Sequence, residues 1–196
     1  MATENGQHGI GVDMLANDSR EFRDGVVEMV SQIQTYGADI VGIACNTAHI
    51  YIDDIKLQPN TQFINLIQEV ADKTKKYGAV KFGVLSSSGT RKQKLYHKYL
   101  DLAAADYQEA SSAQQKLLDQ TIDLVMAHKE IQAAEPLNQV MRQMFESGIS
   151  HFILGCTELP IAYSAIDSYA RTEYNVIDAN WILAKSLVDK YYQKQI

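Results

Sequence analysis

One unit of sequence occurs twice, 111 residues apart, and this restricts the chain to folds that present two equivalent strand ends. Gly37 is followed by the apolar run Asp39-Ile40-Val41-Gly42-Ile43-Ala44, which closes on Cys45-Asn46-Thr47. Gly148 is followed by His151-Phe152-Ile153-Leu154-Gly155, which closes on Cys156-Thr157-Glu158. These are the only two cysteines of the chain, each eight residues after its glycine. At the same offset Val26, Val30 and Ile33 fall on Leu137, Met141 and Met144, so both preceding segments keep an apolar face at helical spacing. With two more residues inserted, Ile64-Asn65 falls on Ile177-Asp178. Two apolar strands can match by chance; the longer series of matches reads as duplication.

Around this unit, short apolar runs alternate with helical periods. Strands are predicted over Ile10–Leu15, Asp39–Ala44, Phe63–Asn65, Val80–Ser86, His151–Gly155 and Tyr174–Ile177. Helices are predicted over Glu21–Tyr36, Leu66–Tyr77, Lys92–Ala104, Ala113–His128, Pro136–Ser147 and Ala179–Tyr192. Gly37 and Gly148 stand as C-terminal helix stops. Apolar strands alternating with helices imply a parallel α/β sheet covered on both faces. The expected architecture is α/β, with one parallel-sheet lobe for each copy of the unit. Residues 1–78 plus 176–196 form the first lobe and 79–175 the second. The second unit starts with Lys81, 75 residues before Cys156, whereas 44 residues precede Cys45. The first lobe is therefore expected to lack its opening strand, loop and helix.

Composition limits the partners. The net charge of -6 argues against nucleic acid or an anionic membrane surface. No apolar run approaches the roughly 20 residues that span a bilayer. The polar start Met1–His8 does not resemble a secretory signal, so the cysteines are expected as free thiols in a reducing cytoplasm. They lack zinc-ligand spacing, and no dinucleotide or phosphate-loop motif is present, so no metal or cofactor is expected.

A thiol suits proton transfer at carbon because its ordinary pKa of about 8.5 falls at a helix N-terminus. Each cysteine follows a buried strand and precedes helix-starting residues, Asn46-Thr47 and Thr157-Glu158-Leu159-Pro160. Backbone N–H groups there would also hold a carboxylate. The competing reading is two buried structural cysteines, since free cysteine is among the most buried residue types.

Cys45-Asn46-Thr47-Ala48-His49 and Leu154-Gly155-Cys156-Thr157-Glu158-Leu159-Pro160 resemble the two signature motifs of the aspartate/glutamate racemase family. The Gly89-Thr90 turn, Tyr96 and Val176-Ile177-Asp178 extend the resemblance, which runs from about Ile10 to about Tyr191. It implies two pseudo-symmetric parallel-sheet α/β lobes with the active site between them, and cofactor-independent racemisation of an acidic amino acid, with Cys45 and Cys156 as the paired acid and base at Cα. It also implies that Asn46, Thr47, Thr90 and Thr157 hold the substrate, and that the protein is a homodimer. The family opens with a strand and Gly-rich loop for which this chain shows no counterpart, so it resembles an N-terminally shortened member. A degenerate, inactive relative that binds a small acid or a partner chain is the alternative.

Two further motif residues have divided readings. His49 either orients a thiol or is bonded within the fold, and Glu158 either polarises a thiol or caps a helix. Ser86, Ser87 and Ser88 could contact substrate or form only a turn. The loop Asn17-Asp18-Ser19-Arg20 sits where the family often has substrate-contacting residues.

Overall fold

The computed structural model describes residues 20–194. The predicted strand Ile10–Leu15 and the loop residues Asn17, Asp18 and Ser19 lie outside them. The elements run α1 (Arg20–Thr35), β1 (Ile40–Gly42), a 3₁₀ helix (Thr47–Asp54), β2 (Gln62–Ile64), α2 (Leu66–Thr74), β3 (Lys81–Ser86), α3 (Ser88–Lys92), α4 (Leu95–Leu102), β4 (Asp106–Glu109), α5 (Ser112–Met126), α6 (Glu130–Glu146), β5 (His151–Gly155), α7 (Leu159–Ser164), α8 (Ser168–Arg171), β6 (Asn175–Asp178) and α9 (Ala179–Gln193).

The strands form two parallel sheets, β1-β2 and β4-β3-β5-β6. The repeat is present in their register. Ile40 pairs with Gln62 and Val41 with Phe63 in the first sheet; His151 pairs with Asn175 and Phe152 with Val176 in the second. These are the same pairs under offsets of 111 for the cysteine strands and 113 for their neighbours. Helix ends obey it too. α1 and α6 each end two residues before a glycine with positive φ, Gly37 at 90° and Gly148 at 94°, a conformation that costs glycine little. Asn65 and Asp178 both cap the helix after the neighbouring strand, their side chains accepting from Gln68 N–H and from Asn180 and Trp181 N–H.

Alternation along β3 and β5 divides the core. Phe82, Val84 and Ile153 face Leu66, Ile67 and Val70 of α2, with Tyr96, Leu100 and Leu183. Leu85, Phe152 and Leu154 face Leu118 and Ile122 of α5, with Leu137, Val140, Met141 and Met144 of α6. The four-stranded sheet is thus buried on both faces, as its apolar strands require.

The lobe assignment needs a correction. β6 hydrogen-bonds β5 and belongs to the second sheet, because it is the repeat equivalent of β2. Only α9 returns, packing on β1 and on α2, while α2 itself reaches across to α4. Each unit thereby lends a helix to the other's side.

Other boundaries differ for local reasons. α6 begins at Glu130, not Pro136, and holds the buried proline inside its second turn. The predicted helix Lys92–Ala104 is split by Lys94, whose left-handed backbone (φ 52°) separates α3 from α4. β4 was not predicted: Asp-Tyr-Gln-Glu is a half-exposed edge strand without an apolar run. On α1, Val26, Val30 and Gln34 are buried while Ile33 is exposed, so the buried stripe is narrower than its spacing implied.

Candidate active site

Parallel strands bring their carboxyl ends to one side of a sheet, where ligands of α/β folds sit. Here the ends of β1, β3 and β5 converge on a cavity of about 100 Å³. Cys45, Asn46 and Thr47 line it from β1, Ser87 and Gly89 from β3, and Cys156, Thr157 and Glu158 from β5. Ile122 and Met126, one helical turn apart on α5, supply its apolar wall. Both cysteines are free, half-buried thiols in this one cavity.

Their surroundings differ. Burial pushes the Cys45 thiol above its ordinary value, the backbone N–H groups of Ala48 and Thr47 oppose that, and the Glu158 charge adds to it. Burial also pushes Cys156 well above its ordinary value; the Glu158 charge and hydrogen bond add to that, and the Glu158 backbone N–H opposes it. Cys156 Sγ donates to Glu158 Oε2 at 2.9 Å, and Thr157 Oγ1 donates to the same oxygen at 2.7 Å. The expected lowering of both thiols at helix N-termini is therefore corrected: desolvation outweighs the backbone donors at both sites. Glu158 occupies the N-cap position of α7, yet its side chain makes no capping bond.

Asn46 does not cap its helix either. Its Oδ1 accepts from the buried Tyr96 hydroxyl at 2.6 Å, and its Nδ2 is buried without a hydrogen-bond partner. Thr47, Ser87 and Thr90 form a buried triangle of hydroxyls at 2.9–3.2 Å. Thr90 stands behind the cavity; Thr47 and Ser87 line it. Ser88 is held by Asp119, which accepts from its backbone N–H at 3.1 Å and from its hydroxyl. Thr157 presents its carbonyl to Asn180 Nδ2 at 3.2 Å.

His49 lies outside the lining. Leu66 N–H donates to its Nε2 at 3.1 Å, so its Nδ1 carries the proton and donates to the Cys45 carbonyl at 2.9 Å. Burial pushes this imidazole below its ordinary value, against the Cys45 and Asn46 backbone contacts, which keeps the accepting nitrogen free. The ring ties the Cys45 loop to the start of α2.

A sequence profile of Asp/Glu/hydantoin racemases matches residues 5–187. The chain belongs to that family. A curated relative of this racemase-family chain is the broad specificity amino-acid racemase RacX of Bacillus subtilis, 24% identical over 178 residues, covering 91% of this chain and 76% of that protein. A glutamate racemase of Shewanella loihica is 24% identical over 173 residues, covering 87% of this chain and 64% of its own length. Among solved structures, the Picrophilus torridus aspartate racemase superposes with a TM-score of 0.74 at 24% identity, covering 85% of this chain and 68% of that one. The mixed α/β architecture with parallel sheets is that of these racemases.

Sequence reasoning passed over Ile122 and Met126. Their spacing marks a helix face, but only the fold shows that this face looks at two thiols. Among the described residues no group of acidic, histidine and cysteine side chains could hold a metal ion, and no helix is long and apolar enough to cross a membrane.

Proposed function

We propose that this family member interconverts the enantiomers of an acidic amino acid, aspartate or glutamate, without a cofactor. Cys45 and Cys156 act as paired base and acid at Cα. The observation that carries the reading is the placement of both thiols, from repeat-equivalent strand ends, in one cavity of about 100 Å³. The names of its relatives, an amino-acid racemase, a glutamate racemase and an aspartate racemase, supply the substrate class.

In this reading the substrate lies between the thiols, its carboxylates held by neutral donors: Asn46 Nδ2, the Thr47 and Ser87 hydroxyls and Thr157. Cys45 starts as the base, because two backbone N–H groups favour its thiolate. It takes the Cα proton, leaving the electron pair on a carbanion. Cys156 starts as the acid, because Glu158 holds its proton in place. It delivers that proton to the opposite face, and the sulfurs have then exchanged states. The reverse reaction begins from the exchanged states. Two lobes, with the cavity between them, and a homodimer complete the reading; sedimentation tests the latter.

An inactive relative that binds a small acid is the competing reading, favoured by the upward shift of both thiols. Incubation with L-aspartate and, separately, L-glutamate in D2O separates the two. Loss of optical rotation with deuterium at Cα supports the racemase. Neither change at high protein concentration supports the binding-only relative.

A further inference from the structure

An asparagine amide has the same shape either way round, so which end meets a ligand is decided by what holds the other end. Asn46 follows Cys45 directly, lines the cavity and is 3% exposed. Its Oδ1 is an acceptor only, so the Tyr96 hydroxyl, 2.6 Å away, must donate to it. That bond leaves Nδ2 as the free end, buried without a hydrogen-bond partner. A buried donor left unmet costs free energy, and a bound carboxylate would satisfy it.

Tyr96 reaches Asn46 from the other half of the repeat. It rises from α4, in the crossover between β3 and β4, and is 2% exposed. Its ring lies on Gly155, the residue before Cys156. A Cβ on Gly155 would stand 2.7 Å from the ring carbon Cε2 and 3.0 Å from the hydroxyl oxygen. The same side chain thus bonds the residue after one cysteine and packs on the residue before the other. It does not line the cavity.

We infer that Tyr96 is a positioning residue for substrate binding: its hydroxyl fixes the Asn46 amide so that Nδ2 faces the cavity as a carboxylate donor, and its ring sets the two cysteine loops in register through the Gly155 slot. The inference rests on the racemase reading for the identity of the ligand, and on geometry alone for the orientation of the amide.

Tyr96→Phe keeps the ring in its slot and removes only the hydroxyl. With aspartate or glutamate as substrate it raises KM about tenfold, the scale of one hydrogen bond, and leaves kcat within about twofold. Asn46→Ala raises KM similarly, and the double variant is no worse than Asn46→Ala, because both changes remove one interaction. Asn46→Asp, which keeps the acceptor for Tyr96 and loses the donor, also raises KM; it carries the test if Tyr96→Phe does not fold. An unchanged KM in either variant, a fall confined to kcat, or additive single effects would overturn the inference.

A second arm needs no ligand. In ¹⁵N-labelled protein the Asn46 side-chain amide pair, identified by its loss in Asn46→Ala, shifts in Tyr96→Phe while the other side-chain amides stay. An unshifted pair overturns the assignment even if the wild-type protein proves to have no racemase activity.

Discussion

Cys156 donates its thiol hydrogen to Glu158 Oε2 at 2.9 Å and meets the Glu158 backbone N–H, whereas Cys45, its counterpart in the repeat, meets the backbone N–H groups of Thr47 and Ala48. The strand register is symmetric to the residue, but the environments of the sulfurs are not. A carboxylate beside a thiol stabilises the protonated form; N–H groups beside a sulfur stabilise the thiolate. In the proposed reaction this difference would set Cys156 as the starting acid and Cys45 as the starting base.

Glu158→Gln tests that polarity. It removes the charge that holds the Cys156 proton and leaves only a neutral amide oxygen as acceptor, so the pH profile of Cys156 alkylation by iodoacetamide, read by mass spectrometry, moves to lower pH. Burial pushes both wild-type thiols above the ordinary range of about 8.5, so both alkylation profiles are expected on its alkaline side. A Cys156 profile that stays in place or moves upward in Glu158→Gln contradicts the assignment.

Gly155→Ala tests the slot. The new methyl would meet the Tyr96 ring at 2.7 Å, and the ring is fully enclosed, so the change overpacks the core by about 1–3 kcal/mol. Urea denaturation measures the loss. A variant as stable as the wild-type protein would mean that the ring yields freely.

His49 gives stability a pH dependence of known sign. Its folded-state pKa lies below its unfolded value of about 6.5, so its contribution is complete above that pH. The contribution is lost as pH falls through the depressed folded value, where the protonated ring can no longer accept from Leu66 N–H. His49→Gln, which cannot titrate, is less stable by about 1–3 kcal/mol at pH 7.5. The gap narrows toward pH 5, as chemical denaturation at the two pH values would show. A gap that widens on acidification contradicts the neutral, accepting imidazole.

Much of the scaffold was legible because burial leaves a period in sequence. β5 was read at its observed bounds because it is a short continuous apolar run after Gly148, and α9 within one residue because it follows the capping Asp178. The repeat was legible in Gly37, Gly148, Cys45 and Cys156, and its register is now visible as hydrogen bonding. What failed was whatever depends on distant partners. β4 is a strand only because β3 offers it an edge. Asn46 looked like a cap and instead bonds Tyr96, 50 residues away. Glu158 looked equally like a cap and instead takes two side-chain hydrogens. The thiols were expected to be acidified by helix starts, but burial, which no local motif reports, outweighs the donors.

The most direct measurement is Cα hydrogen exchange in D2O by Cys45→Ser and Cys156→Ser, each given the two enantiomers separately. With one thiol on each face, neither variant racemises, and each washes out the Cα hydrogen of a single enantiomer with retention. The enantiomer is opposite for the two variants. Racemisation surviving in either variant, or washout of the same enantiomer by both, would contradict proton transfer between two facing cysteines.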